Sequence, residues 1–427
     1  MLRKELMVWI LPIFFISNHV VSTELPVKLT NEEKYQLTSM SYQSHFTTIP
    51  TNPNLHQEAN TYVDKELTVL ARKIHPNQLF EIQSILVNDK QEQVFKLSDG
   101  SYLLADIKNI YDDILLEKEI VEEHYWLTDN FTIYSSPIEN KAKEITTKLK
   151  AYQSVIVTEI VRSNWDTFAK ISNIGWIKMS RLSKEDNRME AVQKLLNQKY
   201  QSEKFSIYVK QLTTEKTASI QEDKKMYAAS VSKLPVLYYS QEQVNAGTYN
   251  LDQGLQYVDK VTTFKGSYSP EGSGILSKIA DNKHYRIDQL MDLTAKYSDN
   301  AASNLLAYYL TNQFDNQFYS EITGITQEKW DMKTRMASSK MAGLMMEAIY
   351  YQNGYALQSL TGTHFDNQRI AKDIPVQIAH KIGDAYDNKH DVAIVYIDSP
   401  FILSIFTDKS DYETISQIAK EIYDILK

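Results

Sequence analysis

The chain has 427 residues, too many for one ordinary domain, so two or three are expected. Hydrophobic residues at 43% and aromatic residues at 11% suffice to build cores, whereas a net charge of −8 without any basic block argues against a nucleic-acid partner. Cysteine is absent, which excludes disulfides, thiolate catalysis and Cys-ligated zinc, and the nine histidines include no H-E-x-x-H, so neither a metal nor another cofactor is expected.

At the amino end, Arg3 and Lys4 precede an apolar run from Leu6 to Ile16, and Val20 and Ser22 have the small-residue spacing of a signal-peptidase site. Residues 1–22 therefore read as an export signal. The run falls short of the about 20 residues of a membrane span, and an uncleaved anchor is the alternative. No cysteine follows, so lipoprotein anchoring is excluded. An extracellular or cell-envelope location is expected. Residues 23–56 are polar, carry Pro50 and Pro53, and read as a spacer.

Two segments of similar design follow, at 57–120 and 121–185. Gln78–Ile82 lines up with Gln153–Val157 at an offset of 75, and Lys96–Tyr102 with Lys170–Trp176 at 74. Both alternate apolar and polar residues in short runs, as half-buried strands do. On the strings Gly175-Trp176-Ile177 and Gly100-Ser101-Tyr102, the pair resembles bacterial SH3-like (GW-type) cell-wall modules. That resemblance implies two small all-β domains with the cell wall as partner. The alternative for Trp176 is that it simply fills a barrel core.

From about Glu185 helices alternate with strands. Ala191, Val192, Leu195 and Leu196 mark a helical face, and Phe205–Val209 a strand. Ser230 stands where a helix starts, and Lys233 shares its face at i+3, so the amine can lie beside the hydroxyl. A neutral Lys233 can take the hydroxyl proton if burial and a second cation bring its pKa from about 10.4 to roughly 7–8. Taken alone, Ser230 reads as a helix cap, and Ser232 as a structural residue on another face.

Ile287, Leu290, Met291 and Thr294 define a helix, Tyr297–Asn300 interrupts it, and Ala301, Ala302, Leu305, Leu306 and Tyr309 define another. Within the interruption, Ser298 can pass a proton to a leaving nitrogen. Asn300 can bind a substrate amide or merely cap the second helix, while Asp299 points away and holds the loop.

Val376–Gly383 alternates as a strand. Gly383 there allows a substrate backbone to lie close, and Lys381 can attract a carboxylate and depress Lys233. The N–H groups of Ser230 and Asp384 can form an oxyanion hole, one donor being worth about 2.7–4 kcal/mol. His380 reads as a spacer. Strands at Asp391–Ile397 and Phe401–Phe406, then a helix striped by Ile415, Ile418, Ala419, Ile422 and Ile425, suggest one sheet closed by both ends of the domain.

Ser230-Val-Ser-Lys233, Ser298-Asp-Asn300 and Lys381-Ile-Gly383 read in order as S-x-x-K, S-D-N and a variant of K-T-G. With Lys233–Leu237 and Ser298–Leu306, residues 187–427 resemble the class A β-lactamase and penicillin-binding family. The resemblance implies an αβα fold around an antiparallel sheet and an acyl-serine mechanism. It makes Ser230 the nucleophile, Lys233 the base, Ser298 the shuttle, and Asn300 and Lys381 substrate-binding residues. The implied substrate is a β-lactam or a peptidoglycan peptide. Two departures stand out. Neither Glu321 nor Glu328 has an asparagine four residues on, as the family's E-x-x-x-N loop requires, and Ile382 replaces the Thr or Ser of K-T-G. Slow deacylation, a D,D-peptidase-like activity, or a wall-binding protein with a weakly active hydrolase domain are the alternatives to a fast β-lactamase.

Overall fold

The computed structural model describes residues 45–90 and 92–427; the segment read as an export signal and most of the spacer lie outside the described residues. The chain forms two compact units. The first combines residues up to Glu117 with Ser136–Lys143 and Arg162–Asp166. Its main sheet orders the strands Leu70–Ile74, Ala59–Tyr62, Tyr102–Leu104, Gln93–Leu97 and Ile82–Val87. Ile74, Phe95, Leu97 and Leu103 alternate inward to make its core, joined by Leu55 and Ile110. Pro53–Leu55 pairs with Ile110–Asp112, so the spacer ends before residue 56.

The second unit contains a further β-rich module and the whole carboxy-terminal domain. The strand pair Thr167–Ile171 and Gly175–Lys178 repeats Gln93–Leu97 and Tyr102–Leu104, as the internal offset anticipates. Leu115–Leu127 is one continuous strand, so the division expected at 120/121 falls inside an element. A Cβ at Gly175 would stand 2.8 Å from both Ile133 Cγ2 and Tyr134 O, so glycine is required there by the neighbouring strand. Ile177, not Trp176, enters the core. Trp176 is half-buried, with Lys170 Nζ 5.6 Å from its ring centre. Asn187 Nδ2 donates to Leu127 O at 3.1 Å and Arg188 stacks on Trp126, tying this module to the domain that follows.

That domain has five sheet strands: β1 (Phe205–Gln211), β2 (Thr217–Ile220), β3 (Ile378–Ala385), β4 (Asn388–Val395) and β5 (Phe401–Asp408). They lie in the order β2-β1-β5-β4-β3, every pair antiparallel. Its helices are α1 (Arg188–Lys199), α2 (Leu234–Asn245), α3 (Ile287–Lys296), α4 (Asn300–Leu310), α5 (Asn316–Thr326), α6 (Ser339–Gln352), α7 (Tyr355–Ser359) and α8 (Tyr412–Leu426). Asp411 caps α8 by accepting from Thr414 N, and the Ile415, Ile418 and Ile422 stripe then packs with α1 residues Val192 and Leu196 on Val209, Ala393 and Leu403. Leu237, Leu306, Met345 and Met346 cover the opposite sheet face through Val392, Ile394 and Ile402. Truncating one such buried aliphatic side chain to alanine costs about 2–5 kcal/mol. The result is helix, antiparallel sheet and helix in three layers, with β2 and β3 at the two edges of the sheet.

Candidate active site

Ser230 sits in a 3-10 turn, Ala229–Lys233, that runs directly into α2 with Pro235 in the first helical turn. Ala229 has φ +47°, a left-handed conformation that costs a residue with a Cβ about 1–3 kcal/mol. Gly383 of β3 explains how this turn is held. A Cβ there would lie 2.6 Å from the Ala228 carbonyl oxygen and 3.0 Å from Val231 Cγ2. The backbone that Gly383 admits is therefore the chain's own rather than a substrate's, and it seats the Ser230 turn against the sheet edge.

Lys233 is completely buried, and its amine makes four polar contacts. It lies 2.9 Å from Ser230 Oγ, 2.6 Å from Ser298 O, 3.4 Å from Ser298 Oγ and 2.7 Å from Asn300 Oδ1. Burial, followed by the like charge of Lys381, holds its pKa well below the usual lysine range. Lys381 extends from β3 to donate to Ser298 Oγ at 2.8 Å and to Ile382 O at 3.0 Å. Burial lowers its own pKa to about 7, against an opposing pull from Asp391.

The loop between α3 and α4 differs in one respect from its sequence reading. Asp299, not Asn300, caps α4, accepting from Ala302 N at 2.9 Å, while its other oxygen accepts from Ile275 N and Leu276 N. Asn300 is left to face inward, where Nδ2 donates to Ser269 O at 2.8 Å and Oδ1 receives Lys233. Ser298 adopts φ +54°, which turns its hydroxyl and carbonyl toward the two lysines. Ser232 bonds Ala229 O and takes no part in this cluster.

On β3, His380 N–H donates outward to Leu360 O, so ladder alternation turns the N–H groups of Ile382 and Asp384 to the same side of the strand, away from β4. The Asp384 side chain is taken by Arg369 Nη2 at 2.7 Å and by the Tyr412 hydroxyl. His380 is not a spacer. It is buried, with Nδ1 3.0 Å from Asp391 and Nε2 3.1 Å from Asp366. Although burial alone would push its pKa down, the two carboxylates outweigh it and raise it to about 9, leaving an imidazolium beside Lys381 in the chain. Its partners lie 11 and 14 residues away on other segments, and no local pattern signals them. Tyr268, also missed, has Lys233 Nζ 4.5 Å and the Arg335 guanidinium carbon 3.8 Å from its ring centre.

The two loop glutamates lie elsewhere. Glu321 is on α5, where burial and the Glu242 carboxylate at the far end of α2 raise its pKa. Glu328 pairs with Lys225 at 2.5 Å. Among the described residues no three His, Asp or Glu side chains are grouped to hold a metal.

A family model described as the β-lactamase enzyme family matches residues 187–426, and one described as the GW (Gly-Tryp) dipeptide domain matches residues 119–183. Among solved structures, PBP-A is 18% identical with a TM-score of 0.46, the alignment covering 56% of this chain and 95% of that one. The β-lactamase from Sphaerobacter thermophilus is 17% identical (TM-score 0.45, covering 56% and 96%). That from Francisella tularensis is 20% identical (TM-score 0.44, covering 56% and 98%). A search of curated proteins finds no match.

Proposed function

The chain belongs to the β-lactamase enzyme family, and on that premise we propose that it is an exported serine hydrolase that opens a cyclic or peptide amide through an acyl-serine intermediate. One observation carries this reading: a buried lysine whose pKa is strongly lowered lies 2.9 Å from Ser230 Oγ. Neutral Lys233 takes the Ser230 proton as Oγ attacks the amide carbonyl. The N–H groups of Ser230 and Asp384 hold the resulting oxyanion. As the carbon–nitrogen bond breaks, the leaving nitrogen takes a proton from Ser298 Oγ, which Lys381 or Lys233 replaces. Asn300 and the Lys381 charge orient the substrate amide and carboxylate.

The substrate class is a β-lactam, with slow release of the acyl-enzyme. A wall peptidase is the second reading, favoured by the placement of Glu321 beside Glu242 of α2 and by the engagement of Glu328 with Lys225. The β-rich modules, one of them GW-type, hold the enzyme at the cell wall and raise local substrate concentration. Mixing the protein with a penicillin, a chromogenic cephalosporin and a D-alanyl-D-alanine peptide, with intact-mass detection, tests both readings. A stable adduct of one penicillin supports the first mechanism step, and peptide cleavage selects the second reading. The absence of both an adduct and cleavage with all three overturns the proposal.

A further inference from the structure

Tyr268 is clamped at both ends. Its main chain is gripped by the Asn304 side chain of α4, which accepts from Tyr268 N at 2.7 Å and donates to Tyr268 O at 2.8 Å. Its hydroxyl lies 3.2 Å from both Ala229 O and Ser232 Oγ, in the turn that carries Ser230. The ring therefore spans the two elements that supply Ser230 and Asn300, and it lies against the Lys233 amine, with Arg335 packed on the same ring. Arg335 is itself tethered by the carbonyls of Gly266 and Ser267, two residues and one residue before Tyr268.

We propose that Tyr268 is a positioning residue that occupies the ground from which a hydrolytic water would reach Lys233, and so makes the acyl-enzyme long-lived. This inference rests on the acyl-serine reading above. Hydrolysis needs a water whose oxygen attacks the ester carbonyl carbon while its proton passes to the Lys233 amine. The bond from that carbon to Ser230 Oγ then breaks, and Oγ recovers a proton from Lys233. A water serving this step must stand beside Lys233 Nζ. The amine already has Ser230, Ser298 and Asn300 as polar neighbours, and the aromatic ring lies against it as well. Removing the ring leaves a space lined by Lys233 Nζ, the Arg335 guanidinium, Ala229 O and Ser232 Oγ, which offer polar partners to a water.

The test is single-turnover acylation of the full chain by a labelled penicillin, followed by the decay of the adduct by intact mass. Tyr268→Ala should acylate more slowly yet release product about tenfold faster or more, since a newly admitted water gains general-base assistance. Tyr268→Phe keeps the ring and should retain slow release. Tyr268→Ser provides the same comparison if the alanine variant does not fold. A loss of fit alone would slow both steps, so unchanged or slower release in the alanine or serine variant overturns the inference. A parent protein that never forms the adduct overturns the acyl-serine reading instead.

Discussion

The Lys381 amine donates to the Ser298 hydroxyl at 2.8 Å across 83 residues of sequence. Through Ser298, whose oxygen is also 3.4 Å from Lys233 Nζ, a lysine on the sheet edge communicates with the lysine beside Ser230. Burial pulls both amines toward the neutral form, and the Lys381 charge lowers the Lys233 pKa further.

Ser230→Ala should abolish covalent labelling by penicillin, and Lys233→Ala should slow it by about 100-fold or more while the protein stays folded. Intact-mass kinetics with circular dichroism as the folding control checks both. Labelling of Ser230→Ala at the parent rate would remove Ser230 as nucleophile.

Penicillin turnover should show a burst followed by slow release. Glu321→Gln and Glu328→Gln should leave that profile unchanged, because neither carboxylate hydrogen-bonds to the Ser230 cluster among the described residues. Fast steady-state turnover that disappears in either variant would place the deacylating base on that loop.

Lys381 titrates at about 7 when folded, against about 10.4 in an unfolded chain. The unfolded state therefore binds more protons between these values, and stability rises with pH across that window. Lys381→Met should stabilise the fold at pH 7 while crippling acylation, and its stability advantage should shrink toward pH 10. Urea denaturation at both pH values decides the matter; an advantage that grows with pH would contradict the burial argument.

His380 has the opposite sign. Its folded pKa of about 9 lies above its ordinary value, so its stabilisation is complete below about 6.5 and is lost as pH rises through 9. His380→Asn strands the buried Asp391 carboxylate and should cost about 3–5 kcal/mol at pH 6. The deficit should narrow by pH 10. A constant deficit across pH would mean that His380 acts through packing alone.

Residues 45–185 alone, which keep the Pro53–Leu55 strand, should sediment with purified cell walls, and residues 187–427 alone should keep penicillin acylation without wall binding. The loss of the Asn187–Leu127 hydrogen bond and the Arg188–Trp126 stack should lower the melting temperature of the shorter fragment. A folded 45–185 fragment that stays in the supernatant would leave the modules as spacers.

Much of the architecture is legible locally. The i, i+3 spacing of Ser230 and Lys233, the apolar stripe of α8 and the alternation in β3 to β5 follow from helical and strand periods, and the structure realises each within a few residues. The 74-residue offset likewise anticipates two matching strand pairs. Other features depend on what the chain path brings near. The neighbour that makes Gly383 a glycine is Ala228, and the partners that charge His380 are Asp366 and Asp391. Asp299 rather than Asn300 takes the cap because Asp299 is still extended (φ −67°, ψ 123°) while Asn300 is already in the helix. Tyr268 reaches Lys233 from a segment with no motif at all. Residue type and spacing determine which groups are available for chemistry. Burial and proximity decide which of them carry charge, and those arise only when distant segments pack together.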